Sequence, residues 1–146
     1  MAKVASGKSS RQAAHTGGCL CGAVRFRAQG KPLLVEHCHC SMCRKASGAP
    51  VVTSANFPFA AFRWTKGRLK FHRSSPKARR GFCAKCGSQL TFRYDGRDDY
   101  VSINAGCLDH PERVTPECHI YVADAIPWML HKDGLPRHVR GLPKRA

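Results

Sequence analysis

Apolar and polar residues change places every one or two positions through most of this chain, in short runs bounded by Gly, Pro, Asn or Asp: "AVRFRAQGKP", "PVVTSANFP", "QLTFRYDGRDD", "YVSINAG" and "HIYVADAIP". Such alternation, rich in β-branched and aromatic residues and punctuated by turn formers, predicts short strands. Helical periodicity is scarce. "SMCRKASG" predicts a single turn, and "FPFAAFRW" a short helix or an irregular strand. No segment recurs at a fixed period of roughly 20 to 50 residues, which argues against a solenoid or a propeller. The expected fold is mostly β.

The alternation gives out at both ends. Residues 1–16 are rich in Ser, Ala, Lys and Arg without a period, and residues 137–146, "RHVRGLPKRA", offer little to bury. Both are expected to be mobile basic tails around one domain at 17–136. A length of 146 residues fits a single domain. The formal charge of +16 should draw polyanions, acidic small molecules or anionic lipid head groups, without choosing among them. No apolar run approaches the ~18 residues that span a bilayer, and "MAKVASGKSSRQAAHTGG" lacks the apolar middle of a secretory signal. The expected location is the cytoplasm, with no membrane partner.

Thiols in that compartment stay reduced, so the many cysteines, nine in all, read better as metal ligands than as bridges. Seven of the nine fall into three clusters: "GGCLCG" with Cys19 and Cys21, "HCHCSMC" with Cys38, Cys40 and Cys43, and "GFCAKCGS" with Cys83 and Cys86. The last is a zinc knuckle, whose turn aims two sulfurs at one ion while Gly87 permits the tight or positive-φ backbone this demands. With strand-like neighbours and no crossover helix, a redox reading of the same Cys-x-x-Cys lacks its context. Tetrahedral zinc needs four ligands, so the knuckle needs a second arm. Pairing it with Cys19 and Cys21 leaves the triplet whole.

In an extended segment Cys38 and Cys40 face one way and His37 and His39 the other, with Cys43 returning after a short turn. Three sulfurs that leave the fourth position to an outside ligand are the pattern of a catalytic zinc. The alternative is a closed structural site completed by Cys107, Cys118, His72, His110 or His119, and spacing leaves both open. Cys107 and Cys118 otherwise read as small buried thiols. Three thiolates give the ion a net negative site, a weak Lewis acid better suited to holding an incoming thiol as thiolate than to making hydroxide. Arg44 and Lys45 directly follow the triplet and are candidates to receive the carboxylates of an anionic substrate.

The clusters, in this order, resemble the glutathione-dependent formaldehyde-activating enzyme family, which includes the centromere protein V type. The matching pieces are "GGCLCGAVRF", "HCHCSMCRKASGA", "FCAKCGSQL", "LDHPE", "HIYVADAIPWM" and "DGLP", spanning about Gly17 to Pro136. The resemblance implies an Mss4-like fold of small coiled β-sheets organised around two zinc positions. Cys19, Cys21, Cys83 and Cys86 match the structural one, and Cys38, Cys40 and Cys43 the more open one. It implies carbon–sulfur lyase chemistry in which glutathione and formaldehyde join to S-(hydroxymethyl)glutathione or separate again. Cys107 and Cys118 stand where the family pattern has no ligands.

Three functions compete. The first is a zinc lyase acting on a glutathione or other thiol adduct, with His39, His72 and His119 as proton acceptors by residue type alone. The second is a nucleic-acid module: "RWTKGRLKFHRSSPKARR", residues 63–80, carries eight Lys or Arg and no acid, with Trp64 and Phe71 interleaved. A solvated basic loop with both aromatics facing the core explains that segment equally well. The third makes both zincs purely structural.

Overall fold

The computed structural model describes residues 13–142. Its strands in chain order are β1 (Ala14–Gly18), β2 (Arg25–Gln29), β3 (Leu34–Cys38), β4 (Val52–Pro58), β5 (Phe62–Lys66), β6 (Lys70–Ser75), β7 (Ala78–Phe82), β8 (Gln89–Tyr94), β9 (Tyr100–Asn104) and β10 (Cys118–Ile120). One α-helix, α1 (Ser41–Ser47), follows β3. A three-stranded sheet runs β1-β2-β5, and a seven-stranded sheet runs β10-β3-β4-β9-β8-β7-β6. Named-strand pairings are antiparallel except β10 with β3, a parallel contact between segments some eighty residues apart. The mostly β, Mss4-like class expected from the sequence is the one found.

Alternation drives the layering. In β2, Phe26 and Ala28 point inward while Arg27 and Gln29 face water, and β4 and β9 send Ala55, Phe57, Val101 and Ile103 into the same interior. Phe26, Phe57, Leu90 and Ile103 are each no more than 1 % exposed, and burying each stabilises the fold by about 1.5–3 kcal/mol. Close approach at the sheet junction needs a residue without a side chain. A Cβ on Gly17 would lie 2.2 Å from the Cys107 carbonyl oxygen and 2.4 Å from Phe26 Cζ.

The boundaries differ from those expected. Residues 14–16 are not tail: β1 begins at Ala14, and His15 is buried against the Phe57 ring at 5.3 Å. The two glycines that follow carry no side chain and so hide the period. Residues 137–140 are also docked, because Arg137 bridges His119, His138 N–H donates to the His119 carbonyl at 2.9 Å, and Tyr121 N–H donates to the Arg140 carbonyl at 2.9 Å. Backbone hydrogen bonds do this, and they are indifferent to composition. The rest of the two proposed tails, residues 1–12 and 143–146, lies outside the described residues. "FPFAAFRW" resolves into the end of β4, a 3₁₀ turn at Phe59–Ala61 and β5, while "SMCRKASG" forms all of α1, closed by Gly48 at φ 71°. Among the described residues no helix is long and apolar enough to cross a membrane.

Candidate metal centres

Two loops at one end of the molecule bring the first four cysteines together. Cys19 and Cys21 lie between β1 and β2, where Cys19 N–H bonds the Val24 carbonyl at 3.0 Å and Gly22 N–H returns to the Cys19 carbonyl at 3.0 Å. Cys83 and Cys86 lie between β7 and β8, in a turn closed by Gly87 N–H on the Cys83 carbonyl at 2.8 Å, with Gly87 at φ 78°. The four sulfurs lie within 4.8 Å of one another. Zinc with Zn–S bonds of about 2.3 Å in a tetrahedron separates its sulfurs by about 3.8 Å. The Cys19–Cys21 and Cys21–Cys83 separations of 3.6 and 3.9 Å bracket that edge, so this donor set fits zinc. Backbone and hydroxyl donors favour two of the four as thiolates: Val24 N–H approaches Cys19 Sγ at 3.2 Å, and Ser88 above all holds Cys86 down at about 5. Cys19 and Cys83 are buried in the main core, so this cluster is part of what joins the sheets.

The second cluster forms where β3 runs into α1. Cys38 ends the strand, Cys40 occupies the helix N-cap, and Cys43 stands in the first turn, with the Arg44 N–H bonding the Cys40 carbonyl at 3.0 Å. The three sulfurs lie within 4.8 Å of one another, and Cys38 to Cys43 is 3.6 Å. These distances and the all-thiol donor set again fit zinc. The Cys38 thiol donates to Cys43 and Arg80 adds its charge, which together outweigh burial and hold Cys43 at about 5. That same bond, with burial, pushes Cys38 well up.

Arg80 was not legible as a site residue. It projects from β7 beside Ala78 on the buried side, is 6 % exposed, and places Nη1 and Nη2 at 3.7 and 3.6 Å from Cys43 Sγ. Its guanidinium also lies 5.0 Å from the centre of the Phe92 ring. In the sequence it is one cation in a basic run. The signal that could have found it is the strand alternation that puts Ala78 and Arg80 on one face.

Histidines surround the triplet without joining it. His39, 1 % exposed, places Nε2 at 2.8 Å from His119 Nδ1, and His119 Nε2 lies 2.7 Å from Asp133 Oδ2. His119 thus has both ring nitrogens engaged and draws Asp133 down to about 2. Burial lowers the pKa of both His37 and His39, and His37 Nδ1 lies 2.8 Å from Thr53 Oγ1. Half-buried Glu36, also on β3, has its carboxyl raised by burial against a hydrogen bond with Asn56.

The other candidates for a fourth ligand are elsewhere. Cys107 Sγ lies 3.5 Å from the Gln89 carbonyl and packs on the main core, Cys118 is buried beside Cys38 and Ile120, and His110 pairs with Glu112 at 3.1 Å. His72 is exposed on β6. Among the described residues no further Cys, His, Asp or Glu donor comes within 4.8 Å of all three sulfurs of the triplet. Arg44 and Lys45 occupy the last turn of α1, Arg44 half-buried and Lys45 exposed.

Comparison with known proteins agrees with this arrangement. Residues 14–124 match the model of the glutathione-dependent formaldehyde-activating enzyme family, and the chain belongs to that family. An uncharacterised lyase of Schizosaccharomyces pombe is 30% identical over 118 residues, covering 75% of this chain and 80% of the yeast protein. The crystal structure of a Rhodobacter sphaeroides protein shares the fold with a TM-score of 0.54 at 23% identity, over 69% of this chain and 91% of the other. Family and relative together place the chain among glutathione-related, lyase-type proteins.

Proposed function

We propose that this protein is a zinc-dependent carbon–sulfur lyase that makes or breaks S-(hydroxymethyl)glutathione or a closely related thiol hemithioacetal. One observation carries the reading: Cys38, Cys40 and Cys43 converge as a group of three, where Cys19, Cys21, Cys83 and Cys86 converge as four. Four thiolates satisfy a tetrahedral ion, whereas three admit one outside ligand. Zinc bound by the triplet supplies a soft Lewis acid that favours sulfur in its thiolate form. Arg80 donates to Cys43 and offsets part of the negative charge that three thiolates gather. The His39–His119–Asp133 chain fixes the backbone stretch between Cys38 and Cys40 from behind. Arg44 and Lys45 supply positive charge next to the triplet for the carboxylates of glutathione. In the cleavage direction the adduct's hydroxyl gives up its proton as the C–S bond breaks; formaldehyde leaves and the sulfur keeps the electron pair.

The test is nuclear magnetic resonance of a mixture of formaldehyde and glutathione exchanging with their adduct. The zinc-loaded protein should accelerate exchange above the uncatalysed rate, and Cys40→Ser should abolish the acceleration. A protein carrying two zincs per chain with no acceleration refutes the lyase and leaves both ions structural.

A further inference from the structure

The end strands of the two sheets expose more aromatic surface than a sealed fold requires. β5 is last in the three-stranded sheet and β6 last in the seven-stranded one, and the turn at Gly67 joins them directly. Phe59, Trp64 and Phe71 on this side are 45, 37 and 45 % exposed. Between them opens a cavity of about 140 Å³ lined by Phe59, Phe62, Trp64 and Phe71, with Arg63 and Arg93 at its wall. A cavity of roughly 150 Å³ with apolar walls holds one benzene-sized ring. Trp64 is held edge-on to Phe62 and Phe26 at 5.1 and 5.9 Å, so its indole is positioned in advance.

The charge around this mouth is not evenly available. Arg80 is buried beneath β7, Asp95 engages Arg73 and Arg79, and Asp98 engages Arg93. Arg63, Lys66, Arg68 and Lys70 are exposed on β5, the turn and β6, and no ion pair among the described residues engages them. Blunting an edge strand against aggregation requires only such charges. It does not require an aromatic-lined recess opening between them. A ring-sized recess flanked by four uncompensated cations along a strand–turn–strand path matches a polymer of flat rings on an anionic backbone.

We propose that the β5–β6 edge binds single-stranded nucleic acid, one base entering the recess against Trp64 and Phe71 while Arg63, Lys66, Arg68 and Lys70 follow the phosphates. Bases stack on aromatic side chains with little regard to sequence, and phosphate contacts supply a salt-dependent remainder. This site is separate from the thiol triplet and does not depend on the lyase reading.

The experiment uses the full chain in a Trp128→Phe background, so that Trp64 is the sole indole. Titration with a dT12 oligonucleotide should quench Trp64 fluorescence, and log affinity should fall with log salt at a slope near −3, about 0.7 for each of four phosphates. Trp64→Leu with Phe71→Leu keeps apolar volume but removes the rings, and should weaken binding at least about fivefold. Lys66→Gln with Arg68→Gln leaves the lining of the recess intact and should flatten the slope by about 1.4. Equal affinity for the leucine variant with its metal content and circular dichroism unchanged overturns the proposal. So does duplex DNA bound as tightly as dT12, or self-association of the protein that the leucine pair abolishes without any oligonucleotide effect.

Discussion

Exchanging Arg80 for methionine replaces a buried cation with an apolar side chain of similar reach. The change removes both guanidinium contacts to Cys43 Sγ, at 3.6 and 3.7 Å, and the cation over the Phe92 ring. Unit charges 3.6 Å apart attract by about 4–5 kcal/mol at an effective dielectric of about 20. Relief from burying the guanidinium offsets part of that. Without Arg80 the Cys43 thiol holds its proton more tightly, and protons compete with the metal for the sulfur. The expected net loss is about 10- to 100-fold in zinc affinity at the triplet, the range that outer-shell partners of metal ligands command. Arg80→Lys keeps a charge but not the planar fork and should fall between. The assay is a competitive chelator titration that resolves a tight and a weaker zinc, read at neutral pH. The four-cysteine site is the internal control. Unchanged affinity at both sites, or a parallel fall at both, refutes the assignment of Arg80 to the triplet.

Other outcomes follow from the same geometry. Cys83→Ser should strip the ion from the buried four-cysteine cluster and unfold the protein, because structural zinc contributes about 10–16 kcal/mol while a domain has only about 5–15 to lose. Cys40→Ser should halve the zinc content with the thermal transition still cooperative. Gly17→Ala drives a methyl into the Cys107 carbonyl and the Phe26 ring and should lower stability by about 1–3 kcal/mol in urea titration. Burial, with Arg113 adding, keeps the His15 pKa below its ordinary 6.5, so its contribution to stability is complete above that pH and lost as pH falls toward the folded value. The melting temperature should therefore drop as pH goes from about 7 to about 5, and less steeply for His15→Gln.

The two sulfur groups were legible because the spacing that brings thiols together is local. Cys-x-Cys, Cys-x-x-Cys and the triplet each announce their own turn, and counting sulfurs paired the arms that the fold does bring together. Arg80 and Asp133 were not legible, since Arg80 acts on Cys43, 37 positions away, and Asp133 on His119, 14 positions away, through a strand or loop whose placement depends on the whole fold. The basic segment 63–80 shows the same limit. Eight cations read as one surface, yet alternation along β7 turns Arg80 inward, and Asp95, from the turn after β8, takes Arg73 and Arg79. Trp64 and Phe71 neither face the core fully nor leave it. Docking of residues 137–140 rests on main-chain bonds, for which composition gives no sign.

The parallel pairing of β10 with β3 sets an order on biosynthesis. All four sulfurs of the Cys19, Cys21, Cys83 and Cys86 cluster have left the ribosome's catalytic centre once Cys86 is added, but the stretch around the triplet gains its support only later. His39 N–H bonds the Ile120 carbonyl, and His119 is secured in turn by Asp133 and the strand-like contact of Arg137. At about 5–20 residues per second, the roughly fifty residues from Cys86 to Arg137 occupy some 3–10 s of translation. A nascent chain can thus gather its first four sulfurs and set its scaffold while the second thiol cluster is still unbuttressed, so the order of synthesis is also the order in which the two clusters are completed.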